Sequence, residues 1–280
     1  MKITFFGTTT LLFDDGKDQI LFDAHVTRPS LKKYVIGAEV VTNTQLCDHL
    51  IKVHKMNRLR AIFISHTHHD HVMDAPYIAN QCNATVYGSK SAKNVALGGN
   101  VPEERTVVFE HGSSYTIGDF RIQILKSLHS KPNKLNDDLG QPIIEPLVQP
   151  ASLRAYKEGG SYDFYIEHGD KKYIIRPSFN YIKGQLDGFK ADVLFLGVAG
   201  LAKAEKSMTD TFFEETVEKT EAKLVIPIHW DNFFSSLEWP NMEMPAVIEP
   251  TELVFFKLAK YCESKDVNCL IQYPCTSIEL

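Results

Sequence analysis

The apolar residues of this chain occur in short runs with little polar alternation, separated by turns or by segments with helical spacing. A short apolar run without alternation is typical of a strand that is buried on both faces. The clearest such run is Leu59–Ser65, and a helix is predicted to begin after it near Asp74 and Pro76. The first residues predict a β-meander with strands at Lys2–Gly7, Thr10–Phe13 and Gln19–Asp23.

The second half of the chain repeats this order of strands followed by strand–helix units. We predict strands at Phe120–Leu128, Tyr162–Glu167, Lys172–Ile175, Asp192–Val198, Lys223–Ile228 and Val267–Tyr273, and helices at Asp210–Glu221 and Thr251–Ser264. Two such halves predict an α/β fold, layered in the α+β manner, with two sheets packed between helices. We expect residues 1–280 to form a single domain with a helical insertion at about 28–58 and a lid-like, proline-rich insertion at about 130–160.

Composition narrows the class of protein. The net charge is −5 and there is no long basic run, so nucleic acid is not expected as a partner. The five cysteines are scattered and form no Cys-x-x-Cys pair, which favours free thiols in a reducing compartment. No stretch approaches roughly 18 uninterrupted apolar residues, so no membrane partner is expected. We expect a cytoplasmic protein acting on a small-molecule substrate, with homo-oligomer formation left open.

The highest concentration of residues that can bind a metal or act in catalysis is the stretch His66-Thr67-His68-His69-Asp70-His71. Four histidines and a carboxylate within six residues have no packing purpose, because unpaired imidazole is costly to bury. The stretch lies between the predicted strand and helix, at the carboxyl end of a strand, where open α/β sheets place their chemistry. The sequence therefore predicts a metal site in this loop.

Three further residues stand where apolar strands are predicted to end: Asp23, His129 and His229. Taken singly, each is more often a cap or a hydrogen-bonding group than a ligand. Together with the dense loop they predict one metal-binding constellation. His69 is expected to face solvent, and the histidines outside the pattern, such as His25, are expected at the surface or as capping groups. Aromatic residues beside His229 are predicted either as core or as a pocket wall: Trp230, Phe233, Phe234 and Trp239.

In these residues and their order the sequence resembles the metallo-β-lactamase superfamily, in particular the lactonase and phosphodiesterase branch related to ascorbate-6-phosphate lactonase. The resemblance implies a four-layer αββα sandwich with the metal site on one edge. It also implies that His66, His68 and His129 bind a first metal, and that Asp70, His71 and His229 bind a second. Asp70 would orient the attacking group, and Asp23 would orient a histidine N–H or a loop amide.

One position departs from the family pattern. Members usually carry a bridging aspartate after the strand that here ends at Ile175, and Ser178 stands in its place. A neutral hydroxyl is a poor ligand, so we expect one tight zinc ion and a second, weaker one, with Mn²⁺ or Fe as alternatives. Asp187 is a candidate substitute for the missing acid. Arg176, if it points inward, would attract an anionic substrate.

The resulting functional expectation is a metal-dependent hydrolase. A metal-bound hydroxide would cleave a lactone ester or a phosphodiester in a small, anionic metabolite. The alternative is a non-hydrolytic member of the same fold, either a metal-binding sensor or an iron redox protein, since the missing acid weakens the case for two catalytic metals.

Overall fold

The structure, a computed structural model, describes residues 1–132, 137–237 and 242–280. Its strands are β1 (Lys2–Gly7), β2 (Thr10–Asp14), β3 (Gln19–Phe22), β4 (Glu39–Val40), β5 (Leu59–Phe63), β6 (Thr85–Gly88), β7 (Thr106–Val108), β8 (Ser114–Ile117), β9 (Phe120–Lys126), β10 (Ala151–Ser152), β11 (Tyr162–His168), β12 (Lys171–Arg176), β13 (Val193–Gly197), β14 (Leu224–Ile228), β15 (Asn268–Cys269) and β16 (Thr276–Glu279). Its α-helices are α1 (Leu31–Ile36), α2 (Thr44–Val53), α3 (His69–Val72), α4 (Ala75–Cys82), α5 (Lys90–Gly98), α6 (Lys206–Phe213) and α7 (Thr251–Ser264).

Two seven-stranded sheets form the centre of the molecule. The first has the order β16-β1-β2-β3-β5-β6-β7 and the second the order β15-β14-β13-β12-β11-β9-β8. Each sheet changes from antiparallel to parallel pairing, at β3–β5 in the first and at β12–β13 in the second. In the parallel part the carboxyl ends of neighbouring strands lie at the same edge, which is where loops can bring distant residues together.

The buried strands explain why the sequence shows so little alternation. In β3, Ile20 and Phe22 pack into the core between the two sheets, whereas Leu21 packs into a separate cluster on the outer face. In β5, Phe63 faces the inner core and Ile62 the outer cluster. Since successive side chains of a strand point to opposite faces, a strand covered on both sides needs apolar residues at every position.

Helices cover the outer face of each sheet. The outer cluster of the first sheet contains Ile78 of α4 and Val95 of α5. On the second sheet, Phe212 of α6 and Leu258 of α7 join the apolar core. The order helix–sheet–sheet–helix confirms the predicted four-layer αββα sandwich.

The end of the chain differs from the prediction. The run Val267–Tyr273 forms only the two-residue strand β15, so a full last strand at this position is wrong. The strand β16 instead closes the first sheet, with Lys2 of β1 opposite Glu279. It escaped prediction because TSIE is a short, mostly exposed edge segment without an apolar run.

Two segments outside the main sheets are joined to each other. Strand β4, within the predicted helical insertion, pairs with β10, within the predicted lid-like insertion, through Ala151 and Val40. The single-domain assignment of residues 1–280 and the status of both segments as insertions stay predictions. None of the helices in the described ranges combines the length and apolar character needed to cross a membrane.

Candidate metal centre

Four loops at the carboxyl ends of strands carry the predicted ligands and the predicted orienting residue Asp23. The stretch His66–His71 follows β5, Asp23 follows β3, His229 follows β14, and His129 lies three residues beyond the end of β9. The structure brings six of these side chains into two adjacent groups of three. The two groups touch, because the ring centroids of His66 and His71 are 3.7 Å apart.

The first, which we call the three-histidine group, consists of His66, His68 and His129. One nitrogen of each ring lies within 4.8 Å of the other two. The rings stand nearly perpendicular to one another, with centroids 4.8–5.0 Å apart. Burial and the neighbouring imidazoles lower the pKa of His66 well below its usual value and that of His129 to about 3. Both rings are therefore neutral at pH 7, the form that binds a metal.

The second, which we call the mixed group, consists of Asp70, His71 and His229. The Oδ2 atom of Asp70 is 3.6 Å from Nε2 of His71 and 3.4 Å from Nε2 of His229. Burial alone would raise the pKa of Asp70, but the imidazoles around it outweigh burial and hold that pKa well below its usual value. Conversely, the pKa of His229 is raised, because Asp70 outweighs the effect of burial. The group thus contains one firmly ionised carboxylate.

Asp23 orients the mixed group rather than joining it. Its carboxylate accepts hydrogen bonds from the amide and the hydroxyl of Ser65, both at 2.7 Å, and from the hydroxyl of Thr9. It also lies 2.8 Å from Nδ1 of His71. Because an ionised carboxylate only accepts, Nδ1 of His71 carries the proton, and Nε2 is left with its lone pair toward the group.

Nε2 of His66 and Nε2 of His71 are among the buried side-chain atoms that have no hydrogen-bond partner within the described residues, as are Nε2 of His25, Nε2 of His69 and Nδ1 of His229. The rings of His66 and His71 are both anchored by the opposite nitrogen, since Nδ1 of His66 lies 3.2 Å from the Ser65 hydroxyl. Similarly, Nδ1 of His129 donates to the carbonyl of Ser130 at 3.0 Å. Nitrogen donors held in this way fit a metal ion such as Zn²⁺.

Sequence reasoning missed the support of His229. The backbone N–H of His229 donates to the carbonyl of Thr8 at 2.6 Å, and the N–H of Thr8 donates to Oδ1 of Asp231 at 2.6 Å. Asp231 in turn forms a fully buried ion pair with Arg28 at 2.8 Å. These partners come from opposite ends of the chain, so no local pattern could reveal them.

Sequence reasoning also missed Asp138 and Tyr34. Oδ1 of Asp138 lies 3.1 Å from Nε2 of His68, and this contact lowers the pKa of Asp138 although partial burial opposes it. Tyr34 belongs to α1, and burial together with the charges of Asp70 and Asp138 raises its pKa to about 12. The predicted insertions therefore both reach the metal-binding edge.

Two histidine predictions were wrong. His69 does not face solvent: it is only 4% exposed, its Nδ1 lies 3.9 Å from Oδ1 of Asp70, and its ring packs 5.4 Å from that of Tyr34. His25 is also buried, with Nδ1 3.1 Å from the hydroxyl of Thr8. The short helix α3 begins at His69 and α1 covers it, and neither effect is visible in the local sequence.

Two expectations about residues near the missing acid were wrong. Arg176 is buried and pairs with Asp163 at 3.1 Å, so it is a structural ion pair rather than an anion-binding group. Asp187 is exposed and pairs with Lys219 at 2.7 Å, which makes it a wrong choice as a substitute ligand. Ser178 is buried, and the side chain of nearby Asn180 donates to the carbonyl of His129 at 2.7 Å. A role for Ser178 in place of the acid stays a prediction.

The aromatic residues divide between core and pocket wall. Trp230 is buried against Phe255, with ring centroids 5.0 Å apart, as expected for core. Phe233 instead stands 5.2 Å from the His229 ring, and Phe234 stands 5.5 Å from Tyr34. Trp239 lies outside the described residues. Half-buried rings thus line the side of the mixed group.

Comparison with known proteins identifies the family and the fold. Residues 19–230 match the family model described as a beta-lactamase superfamily domain. The chain belongs to the metallo-β-lactamase superfamily. It is 30% identical over 106 residues to a metal-dependent hydrolase of Chloroflexus aurantiacus, a match that covers 38% of this chain and 43% of the relative. It is 24% identical over 253 residues to a metal-dependent hydrolase of Staphylococcus saprophyticus, which covers 88% of this chain and 93% of the relative. The match to the first relatives thus spans less than half of their length.

Solved structures show the same fold at low sequence identity. The metallo-beta-lactamase fold protein YhfI from Bacillus subtilis superposes with a TM-score of 0.61 at 15% identity, covering 99% of both chains. A protein described as a possible metal-dependent hydrolase from Veillonella parvula gives a TM-score of 0.60 at 14% identity, covering 100% of this chain and 99% of that one. At such identities the likeness shows the fold alone.

Proposed function

We propose that this member of the superfamily is a metal-dependent hydrolase whose centre is formed by the three-histidine group and the mixed group. The observation that carries the proposal is the pair of adjoining donor groups, in which Nε2 of His66 and Nε2 of His71 are buried and have no hydrogen-bond partner in the described parts of the chain. Each belongs to a group of three residues with suitable donor atoms, and the two groups adjoin.

His66, His68 and His129 would hold a first ion tightly, and Asp70, His71 and His229 would hold a second ion more weakly. Neutral imidazoles favour Zn²⁺, with Mn²⁺ or Fe as alternatives. When bound, such an ion polarises the scissile group and makes water acidic enough to serve as nucleophile near neutral pH. We expect the lower affinity of the second group because Ser178 stands where the family usually has a bridging carboxylate, and its hydroxyl is a poor and uncharged ligand.

The chain's own residues contribute orientation and proton handling. Asp70 is ionised and faces the mixed group, so its carboxylate can accept a hydrogen bond from the attacking water and align it. Asp23 fixes the tautomer of His71. The half-buried rings of Tyr34, Phe233 and Phe234 exclude water from one side of the centre.

The favoured substrates are a lactone ester or a phosphodiester in a small, anionic metabolite. The charge balance supports an anion, because a dication in the three-histidine group has no ligand carboxylate to offset it, and Asp70 is the one carboxylate of the mixed group. The names of the relatives support hydrolysis. The lactonase-like branch, a cytoplasmic location and homo-oligomer formation stay predictions.

The test is metal analysis of the purified protein together with a panel of lactone and phosphodiester substrates. The double variant His66→Ala/His68→Ala should lose the tight ion and all turnover, whereas His49→Ala, at an exposed position, should behave as wild type. Hydrolysis by the metal-free double variant would overturn the proposal. A visible absorbance band without hydrolysis would favour the non-hydrolytic iron alternative, because zinc is colourless.

A further inference from the structure

The segment 137–160, within the predicted lid, carries a carboxylate to the metal-binding edge. Oδ1 of Asp138 lies 3.1 Å from Nε2 of His68, and both side chains are largely buried, at 13% and 14% exposure. Asp138 is not among the residues whose ligand atoms cluster within the three-histidine group, as far as the described residues show. Asp138 therefore contacts one nitrogen of His68 without belonging to the group.

This contact determines which nitrogen of His68 can bind a metal. An ionised carboxylate accepts hydrogen bonds and cannot donate them, so Nε2 of His68 must carry the proton. The lone pair then resides on Nδ1. A histidine held in this way presents one defined nitrogen at a fixed angle, and its basicity rises because the carboxylate stabilises the N–H.

The segment that delivers Asp138 is hydrogen-bonded to the metal-binding loop itself. Thr67, between the two ligands His66 and His68, donates its N–H to the carbonyl of Glu158 at 2.9 Å. The hydroxyl of Thr67 reaches the carbonyls of Lys157 and Glu158. The carboxylate of Glu158 then accepts the N–H of Gly140 at 2.8 Å, two residues after Asp138. Asp138 and His68 are thus held in one hydrogen-bonded frame.

We propose that Asp138 is a positioning residue of the three-histidine group, which fixes the tautomer and orientation of His68 and so sets the affinity of the tight ion. The inference rests on the proposed metal-dependent function. It gives the three-histidine group the counterpart of the Asp23–His71 pair in the mixed group, where the corresponding distance is 2.8 Å. The segment 137–160 then belongs to the metal site as a fixed wall.

The test compares Asp138→Ala and Asp138→Asn with the matched control Asp137→Asn. Asp137 is the adjacent residue, and its carboxylate is exposed. Zn²⁺ affinity is measured by competition with a chromophoric chelator. Asp138→Ala should weaken the tight site by about 10- to 100-fold, the range expected for loss of an outer-shell partner. Asp138→Asn should be weakened less, because the amide oxygen still accepts from Nε2–H, and Asp137→Asn should match wild type.

A second readout does not depend on metal or on turnover. Nitrogen-15 NMR of the metal-free protein should show His68 protonated at Nε2 in wild type and in Asp138→Asn, and as a mixture of tautomers in Asp138→Ala. Wild-type affinity and an unchanged His68 tautomer in a folded Asp138→Ala variant would overturn the inference alone. A wild-type chain that binds none of Zn²⁺, Mn²⁺ and Fe²⁺ would overturn the proposed function and the inference together.

Discussion

The three-histidine group and the mixed group share one edge of the fold, yet their ligands and their supports differ. The first has three nitrogen donors with rings nearly perpendicular and contains no carboxylate. The second has two histidines inclined at 46° and one ionised carboxylate, Asp70. Neutral donors suit a borderline dication, whereas a bridge between two dications needs more negative charge than Asp70 alone supplies. The comparison shows that an intact His66–His71 motif does not make the two groups equivalent.

The supports of the two groups also come from different parts of the chain. The mixed group depends on the amino-terminal loop, because Thr8 receives the N–H of His229 and Thr9 contacts both Asp23 and His71. His229 needs this support, since its φ of +60° lies in the left-handed region, which a non-glycine residue adopts at a cost of about 1 kcal/mol or more. The three-histidine group depends on the segment 137–160.

The largest expected effect comes from a variant that removes the support of the mixed group and leaves that of the three-histidine group in place. Asp231→Asn leaves Arg28 buried without its counter-ion, so the free energy of unfolding should fall by about 3–5 kcal/mol. The variant should also lose the weaker ion while keeping the tight one, because Thr8 and His229 shift with Asp231. Urea denaturation and zinc analysis measure both effects.

The control for this variant is Asp210→Asn, which breaks the exposed pair with Lys206 and should cost about 1 kcal/mol or less. If Asp231→Asn were no more destabilising than this control, or released both ions together, the separate support of the mixed group would be refuted.

A second prediction concerns how the stability of the fold depends on pH. Asp74 is buried and accepts the N–H groups of Val26 and Thr27, and burial raises its pKa to about 6. A carboxyl whose pKa is higher in the folded than in the unfolded chain stabilises the fold below the unfolded pKa. That contribution is lost as the pH rises from about 4 to about 6.

Asp74→Asn removes this dependence, because the amide stays neutral. Relative to wild type, the variant should gain up to about 3 kcal/mol in unfolding free energy between pH 4 and pH 7. Part of the slope should remain, since burial also raises the pKa of Asp163 to about 6. Urea denaturation across this pH range checks the sign, with Asp170→Asn in the exposed hairpin turn as the control. A difference that grows in the opposite direction would contradict the account.

The smallest expected effect comes from a variant that adds a negative charge near the mixed group. Ser178→Asp should strengthen binding of the second ion by about tenfold, on the order of 1.4 kcal/mol, because it adds a carboxylate where the family usually has one. Ser178→Asn has a similar shape and no charge, and it should leave the second site weak. Calorimetric titration with zinc distinguishes them. An equal gain in both variants would show that charge is not the missing element.

The features that could be predicted from the sequence are those that short, local patterns encode. His66–His71 were recognisable by density, and Asp23, His129 and His229 by their position after apolar runs. Strands without alternation predicted two sheets packed between helices, because such strands must be covered on both faces, and the family resemblance implied the four-layer sandwich.

What escaped prediction depends on contacts between distant segments. Thr8 and Asp231 are 223 residues apart, and only the folded loops bring them together. Asp138 lies in an irregular segment where no periodicity indicates direction. His69 is the variable position of the motif and is therefore expected to face solvent, but α1 from another segment covers it. Tertiary packing determines the burial and the contacts of these residues, and local sequence patterns do not predict it.

The central claim, that one tight ion resides in the three-histidine group, is tested most directly by zinc content after exhaustive dialysis against a mild chelator, compared among wild type, His129→Ala and His229→Ala. The account predicts about one zinc per chain in wild type, the same in His229→Ala, and none retained in His129→Ala. Two equally tight ions in wild type, or loss of the tight ion in His229→Ala with retention in His129→Ala, would contradict it.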